Sequence, residues 1–178
     1  FSEMARRPET KALGLRGLYV EARRRGDEPA ALRHAEEAQK LAPAPWSGQA
    51  LLEHRAVSGD WAGALATLER NAAAGQIDKP VLERQRAALK TGIALEKAER
   101  EPDAALALAR EALASQPDLA PAAALAARLH GRRGDLKKGA RTIEEIWAAA
   151  PHPDLARAYV DLRPGDSAVD RLERARKL

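Results

Sequence analysis

Four histidines, His34, His54, His130 and His152, are the side chains of this sequence best suited to hold a metal ion or a haem iron. No two of them lie three or four residues apart, the spacing that places two ligands on one face of a helix. The sequence has no cysteine, which excludes disulfides, thiolate ligands and the C-x-x-C-H haem attachment motif. We therefore predict no metal and no cofactor, with the histidines at helix ends or on the surface and His152 in a turn between two prolines.

The carboxylates and hydroxyls do not form a catalytic pattern either. Most acidic residues lie three or four positions from an Arg or Lys, which is typical of solvated helix faces, and no serine lies in a nucleophile motif. The chain has 30 Lys and Arg against 26 Asp and Glu, a net charge of +4 with both signs interspersed. A nucleic-acid-binding domain would show a dense basic stripe instead. The sequence predicts neither an enzyme nor a nucleic-acid-binding protein.

The elements that carry these side chains are helices. About forty residues are alanine, aromatic residues make up 3%, and Leu, Glu, Arg and Lys supply most of the rest. Valine and isoleucine are scattered singly, so no segment has the alternation of a half-buried strand. No apolar run approaches the length of about 18 residues that suggests a membrane span. We predict an all-α fold and expect this part of the chain to be soluble.

Four segments repeat one pattern, in which a helix is followed by a short turn, a second alanine-rich helix and usually a proline. Glycine favours the left-handed conformation that ends a helix, and Asp caps the next one, so a Gly-Asp pair can do both. Three of the four turns contain this pair. The turns are Arg25-Gly26-Asp27-Glu28, Ser58-Gly59-Asp60-Trp61, Arg100-Glu101-Pro102-Asp103 and Arg133-Gly134-Asp135-Leu136.

The spacing of these turns predicts repeats at 12-44, 45-77, 78-117 and 118-151, followed by a partial or atypical repeat at 152-178. Residues 1-8 match the end of a truncated repeat, so we expect neighbouring segments on the N-terminal side. The spacing between the second and third turns exceeds the other two spacings by seven or eight residues, which predicts one unusually long helix near residues 79 to 100. Asp78 is a candidate N-cap for it, and Pro80 lies in its first turn.

The first repeat resembles a tetratricopeptide repeat. Ala31, Ala38 and Pro43 occupy positions where that family has two small residues and a proline, and Tyr19 stands where a third small residue is usual. The resemblance implies a right-handed α-α superhelix, a tetratricopeptide-like solenoid of about four to five helix pairs. Such arrays bind proteins or peptides, so it also implies a non-catalytic interaction scaffold.

A narrower resemblance rests on Pro8-Glu9-Thr10, Leu13-Gly14-Leu15-Arg16-Gly17-Leu18, Pro45-Trp46, Gly59-Asp60-Trp61 and Pro151-His152-Pro153. These motifs are similar to those in the repeat region of HemY-type proteins, bacterial inner-membrane proteins associated with haem biosynthesis. The resemblance implies a parent protein with upstream membrane helices, with this region on the cytoplasmic side. It also implies a role in organising a membrane-associated complex. No catalytic residue comes with it.

First-helix positions line the concave groove of tetratricopeptide arrays, and their residue types suggest what this groove would bind. Basic residues dominate, which favours an acidic or carboxylate-ended partner segment held by charge-assisted hydrogen bonds. Ordinary solvated helix faces remain the alternative interpretation. The mapped residues are Leu13, Arg16, Val20, Arg23, Trp46, Gln49, Glu53, Lys90, Lys97 and Arg128, to which Arg132 is added.

Two further functions stay open at this stage, direct binding of haem or porphyrin and recognition of RNA by the helical repeat. Trp46 also has two interpretations, as a packing residue or as a ligand contact, whereas Trp61 and Trp147 are expected to pack between helices. Gly14 and Gly17 lie inside a predicted helix, where glycine costs up to about 1 kcal/mol relative to alanine. We interpret both as sites where the preceding helix approaches closely.

Overall fold

The structure is a computed structural model that describes all of residues 1–178, and helices make up 77% of it, with no strand. The all-α fold class is therefore confirmed. A short 3-10 helix, Pro8–Thr10, lies between the first two α-helices, and α6, with 19 residues, is the long helix predicted for the third repeat. The α-helices are α1 Ser2–Arg6, α2 Lys11–Arg25, α3 Glu28–Leu41, α4 Pro45–Val57, α5 Trp61–Ala73, α6 Lys79–Lys97, α7 Pro102–Ser115, α8 Ala120–Arg132, α9 Leu136–Trp147, α10 Pro153–Val160 and α11 Ala168–Ala175.

The glycines of the three Gly-Asp turns adopt the left-handed conformation that the sequence predicts. Gly26 has φ of 72°, and Gly59 and Gly134 both have φ of 80°. Apart from the glycine itself and its two chain neighbours, no residue has a heavy atom within 4 Å of the position where a Cβ would stand at these glycines. The requirement for glycine is therefore conformational and does not arise from crowding.

The aspartate after each glycine is the N-cap residue of the following helix. Asp27 accepts a hydrogen bond from the backbone N–H of Ala30 at 3.0 Å, and Asp60 accepts one from Gly63 at 2.9 Å. Asp135 makes no side-chain capping bond. Three turns with the same Gly-Asp pair thus differ in whether the aspartate side chain makes a capping hydrogen bond.

The chain forms two compact units, residues 1–82 and residues 83–178, which we call unit 1 and unit 2. In unit 1 each helix packs against the next, from α1 to α5. Each second helix of unit 1 buries one stripe of side chains, and Ala35, Ala64 and Leu68 are wholly inaccessible to solvent. Asn71 continues the stripe of α5 as a polar residue and is 3% exposed.

In unit 2, α8 packs against α7, α9 and α10, and α10 also contacts α9 and α11. The core between α8, α9 and α10 includes Ile143, Leu155 and Tyr159. All residues of the segment Ala122–Ala127 in α8 are at most 2% exposed. A Cβ on Gly131 would lie 2.3 Å from the backbone oxygen of Leu162, so α8 can meet the end of α10 only because this residue is glycine.

The predicted close approach of the preceding helix to α2 is confirmed. A Cβ on Gly14 would lie 2.4 Å from the backbone nitrogen of Ala5 in α1, and one on Gly17 would lie 2.2 Å from the ring of Phe1. Trp61 and Trp147 are each half-buried, and Trp147 packs against the α8–α10 core. Glycine at position 14 thus lets the α1 and α2 backbones touch.

Candidate partner-binding surface

Two aromatic rings meet on the exposed side of α2 and α4 in unit 1. The ring centroids of Tyr19 and Trp46 are 5.3 Å apart, and the ring planes are tilted by 43°. Both residues are half-buried, and Trp46 directly follows Pro45 in the first turn of α4. A pair of this geometry is a favourable aromatic contact that still leaves ring surface open to solvent. Trp46 therefore packs against Tyr19 and remains accessible.

Charged and amide side chains surround this ring pair. Arg23 donates from Nη1 to both carboxylate oxygens of Glu28, at 3.1 and 3.0 Å, and this ion pair raises the pKa of Arg23. On α4, Gln49 donates to Glu53 at 3.0 Å. Burial raises the pKa of the Tyr19 hydroxyl, opposed by the Arg23 charge and assisted by Glu53 and Glu28.

The remaining predicted residues of α2 are exposed on the same side of the helix. Arg16, Val20 and Arg23 follow one another at helical spacing, and Val20 is 43% exposed. Arg16 has no ion-pair partner within the chain. We call the surface formed by Arg16, Tyr19, Val20, Arg23, Trp46, Gln49 and Glu53 the α2–α4 face.

In unit 2, two predicted lysines of α6 pair with neighbouring carboxylates. Lys90 bonds Glu111 of α7 at 2.8 Å, and Lys97 contacts both carboxylate oxygens of Glu101 at 2.9 Å. The ion pair of Lys90 therefore links α6 to α7, the second helix of the same helix pair. Both ammonium groups therefore have a carboxylate partner within the chain.

The two predicted arginines of α8 lie together beside α6. Arg128 and Arg132 line a concavity of about 260 Å³ together with Leu95 and Leu125. Arg132 donates to Glu99 at 2.6 Å, and the pKa of Glu99 is lowered by this bond first and by the Arg128 charge as a smaller cause. We call this concavity the α6–α8 cleft.

These contacts change the charge expected for the predicted groove. Four of its six basic residues are paired with glutamates that the mapping of first-helix positions did not include, namely Glu28, Glu99, Glu101 and Glu111. Arg16 and Arg128 are the two that form no ion pair, although Arg128 still acts electrostatically on Glu99. A ligand carboxylate would have to bind these two or displace an internal partner.

Sequence reasoning missed two members of this surface. Tyr19 was assigned to a position that usually holds a small packing residue, and its bulk at that position was the available signal. Glu28 lies five residues after Arg23, across the turn, and this spacing could have indicated the pair. The pair between Lys90 and Glu111, which are 21 residues apart, left no such signal.

The histidines are dispersed, and no group of three or more His, Cys, Asp or Glu residues is placed to hold a metal ion. His152 caps α10, with Nδ1 accepting from the Asp154 N–H at 3.1 Å. Burial lowers the pKa of His130 despite the opposing charge of Asp135, whose carboxylate lies 3.7 Å from His130 Nδ1. None of the helices combines the length and apolar character needed to span a bilayer.

Neither a protein-family profile nor a curated protein sequence matches the chain significantly. Among solved structures, the chain is similar to a thermophilic TPR protein of Thermus thermophilus. The two share 19% sequence identity, the match covers 92% of this chain and 86% of that chain, and the TM-score is 0.46. This likeness assigns neither a ligand nor an activity to the present chain.

Proposed function

We propose that the chain is a non-catalytic scaffold that binds a segment of a partner protein, with the α2–α4 face as the principal contact. The observation that carries the proposal is the ring pair of Tyr19 and Trp46, which is preorganised at 5.3 Å yet half-exposed. Tyrosine, tryptophan and arginine are enriched among the residues that dominate the energetics of protein interfaces, and the two aromatic types bury large areas at low entropic cost.

The partner segment is expected to be acidic as well as apolar. Val20 and the two rings offer apolar contact, while Arg16 offers a guanidinium without an internal partner. Arg23 already holds both oxygens of the Glu28 carboxylate, which illustrates the geometry that an incoming carboxylate would adopt. In unit 2, Arg128 of the α6–α8 cleft is the corresponding group. The preferred ligand is therefore a peptide with an acidic residue next to an apolar one.

The motifs shared with HemY-type proteins extend the proposal to a cellular setting. In that setting the parent protein is tethered to the bacterial inner membrane, this region faces the cytoplasm, and the scaffold organises a complex linked to haem biosynthesis. The support for this step is the set of sequence motifs around Gly14, Trp46 and Trp61.

Site-specific photo-crosslinking in the native cells tests the contact surface. A photoreactive phenylalanine analogue replaces Val20, which is 43% exposed on the α2–α4 face, or Val57, which is 90% exposed at the end of α4 and serves as the control. We expect a discrete cross-linked partner from position 20 and not from position 57. Identification of that partner by mass spectrometry also tests the link to haem biosynthesis.

Two substitutions decide whether this contact is specific. Trp46→Ala should weaken partner binding by about 30-fold, the loss typical of an interface hot spot. Arg16→Glu should weaken it by about tenfold without breaking an internal ion pair, whereas changing Arg23 or Lys90 would also release a glutamate. Arg24→Glu provides an equal charge change at another exposed site of α2. Partner binding that survives Trp46→Ala and Arg16→Glu unchanged would refute the α2–α4 face.

A further inference from the structure

A cavity of about 720 Å³ lies among α3, α4 and α5, entirely within unit 1. Its walls include Leu51 and Arg55 of α4. At 3.6 residues per turn, these two positions lie on the side of α4 opposite Trp46 and Glu53. The cavity is therefore separate from the α2–α4 face, and its volume falls in the range of sites that take a drug-sized molecule or a short peptide.

Two guanidinium groups converge on one buried hydroxyl beside this cavity. Arg55 Nη1 donates to Thr67 Oγ1 at 2.6 Å and to the backbone oxygen of Gly63 at 2.8 Å. Arg70 Nη2 reaches the same Thr67 oxygen at 3.3 Å, so the two guanidinium nitrogens are at most about 6 Å apart. Thr67 is 2% exposed, which fixes the point of convergence. Both arginines also line the cavity, so their like charges favour binding of an anion there.

The cavity is lined by two acidic residues, Glu36 and Asp60, and only one of the two arginines pairs with them. Asp60 caps α5 with Oδ1 and lies 3.9 Å from Arg55 Nε with Oδ2, whereas Glu36 forms no ion pair. Arg70 and Lys40, which also lines the cavity, have no carboxylate within ion-pair distance. The guanidinium group of Arg70 therefore keeps no carboxylate acceptor within the chain.

Two amide side chains of the wall add a second, independent feature. Asn71 lines the cavity and is 3% exposed, yet its side-chain amide makes no hydrogen bond within the chain. Gln76, also in the wall, has a buried side-chain oxygen that accepts no hydrogen bond. A buried polar atom without a partner, such as this Gln76 oxygen, is costly unless a ligand supplies one.

Gly48 of α4 makes room for the Asn71 side chain. A Cβ at position 48 would lie 2.6 Å from the Asn71 amide oxygen. An amide offers one acceptor and two donors, which complement the N–H and C=O of a peptide unit. Asn71 is therefore suited to hold the backbone of a bound peptide.

From these contacts we infer that the cavity binds a peptide segment carrying an acidic side chain, with Arg55 and Arg70 holding the carboxylate and Asn71 the peptide backbone. The site is independent of the α2–α4 face. A scaffold with both sites would hold two different segments on opposite sides of α4.

NMR titration of the whole nitrogen-15-labelled chain tests the inference. The ligand is a panel of capped pentapeptides, each with one central glutamate and varied flanking residues, compared with the same panel carrying glutamine. We expect saturable shifts of the backbone amides of Arg70 and Asn71 with the glutamate panel. The glutamine panel should bind at least about tenfold more weakly, because charge-assisted hydrogen bonds are lost. The absence of saturable shifts with any glutamate peptide would overturn the inference.

Arg70 is exposed, so it can be substituted without disturbing buried packing, and its variants test the site directly. Arg70→Glu should abolish the shifts, and Arg70→Lys should retain weak binding because the charge stays while the planar fork is lost. Arg24→Glu, an equal charge change elsewhere in unit 1, should leave binding intact. Binding unaffected by Arg70→Glu would overturn the site.

A further titration, with glutarate, separates the contribution of the carboxylate to binding from that of the peptide backbone. Glutarate supplies carboxylates without a peptide unit, so we expect it to bind more weakly than the glutamate peptides. Glutarate binding as tight as peptide binding would overturn the role given to Asn71.

Discussion

The three Gly-Asp turns predict unequal responses to the same substitution. Asp27 and Asp60 each cap a helix through a side-chain hydrogen bond, whereas Asp135 does not. Asparagine caps a helix about as well as aspartate but carries no charge, whereas alanine neither caps a helix nor carries a charge. The difference between Asp→Ala and Asp→Asn at one turn therefore isolates the capping bond, because both changes remove the charge.

The expected magnitudes follow from these contacts. Asp27→Ala and Asp60→Ala should each lower the free energy of unfolding by about 1 kcal/mol more than the matching asparagine variant. At Asp135 the two variants should differ by less than about 0.5 kcal/mol, since no cap bond is lost. Asp135 forms an ion pair with Lys138 at 3.4 Å and lies 3.7 Å from His130, and both substitutions remove the carboxylate charge from these contacts equally.

Urea unfolding followed by far-ultraviolet circular dichroism measures these differences. Because Asp135 lies in a different unit from Asp27 and Asp60, hydrogen exchange of the Ala30, Gly63 and Lys138 amides is measured alongside. The Ala30 and Gly63 amides should exchange faster in the alanine variants than in the asparagine variants. If the alanine and asparagine variants of Asp135 differed in free energy of unfolding as much as those of Asp27 and Asp60, the capping hydrogen bonds could not be the cause of the difference. That result would refute the reasoning.

Three other predictions concern packing and titration. Gly14→Ala should release α1, since the new Cβ meets the Ala5 backbone at 2.4 Å, and limited proteolysis should then remove the N-terminal segment faster than in the unsubstituted chain. Ile143→Ala should lower the free energy of unfolding by about 3 kcal/mol, measured in urea, because Ile143 is wholly buried; a loss below about 1 kcal/mol would contradict that packing. Burial and the hydrogen bond to Glu144 raise the pKa of Tyr159 to about 12. The protonated Tyr159 side chain therefore contributes its full stabilisation at pH values below 10.0, the pKa in the unfolded chain, and this stabilisation is lost as the pH rises through about 12. Phenolate absorbance should show one tyrosine that ionises near pH 12, and Tyr159→Phe should remove this step.

The sequence predicted the features that depend on local interactions. The left-handed glycines and the long α6 were readable because turn chemistry and helical periodicity act over a few residues. The ion pair of Lys90 with Glu111 was not, since long side chains choose partners only once tertiary packing has brought them near. Asn71 is a polar residue at a buried position of α5, and its side chain fits there because Gly48 of α4 has no Cβ. The signal for the cavity was thus a polar residue in a core position, which sequence alone does not distinguish from an exposed one.

The segment Ala122–Ala127 determines which experiments can report on α8 at all. Five of its six residues are alanine, and every one is at most 2% exposed. Alanine scanning, the usual survey of side-chain contributions, would leave this most enclosed stretch of unit 2 almost untouched. A survey that enlarges side chains should instead find it intolerant, since each added methylene must displace a neighbouring helix. The helix would be scored as unimportant by one method and as indispensable by the other.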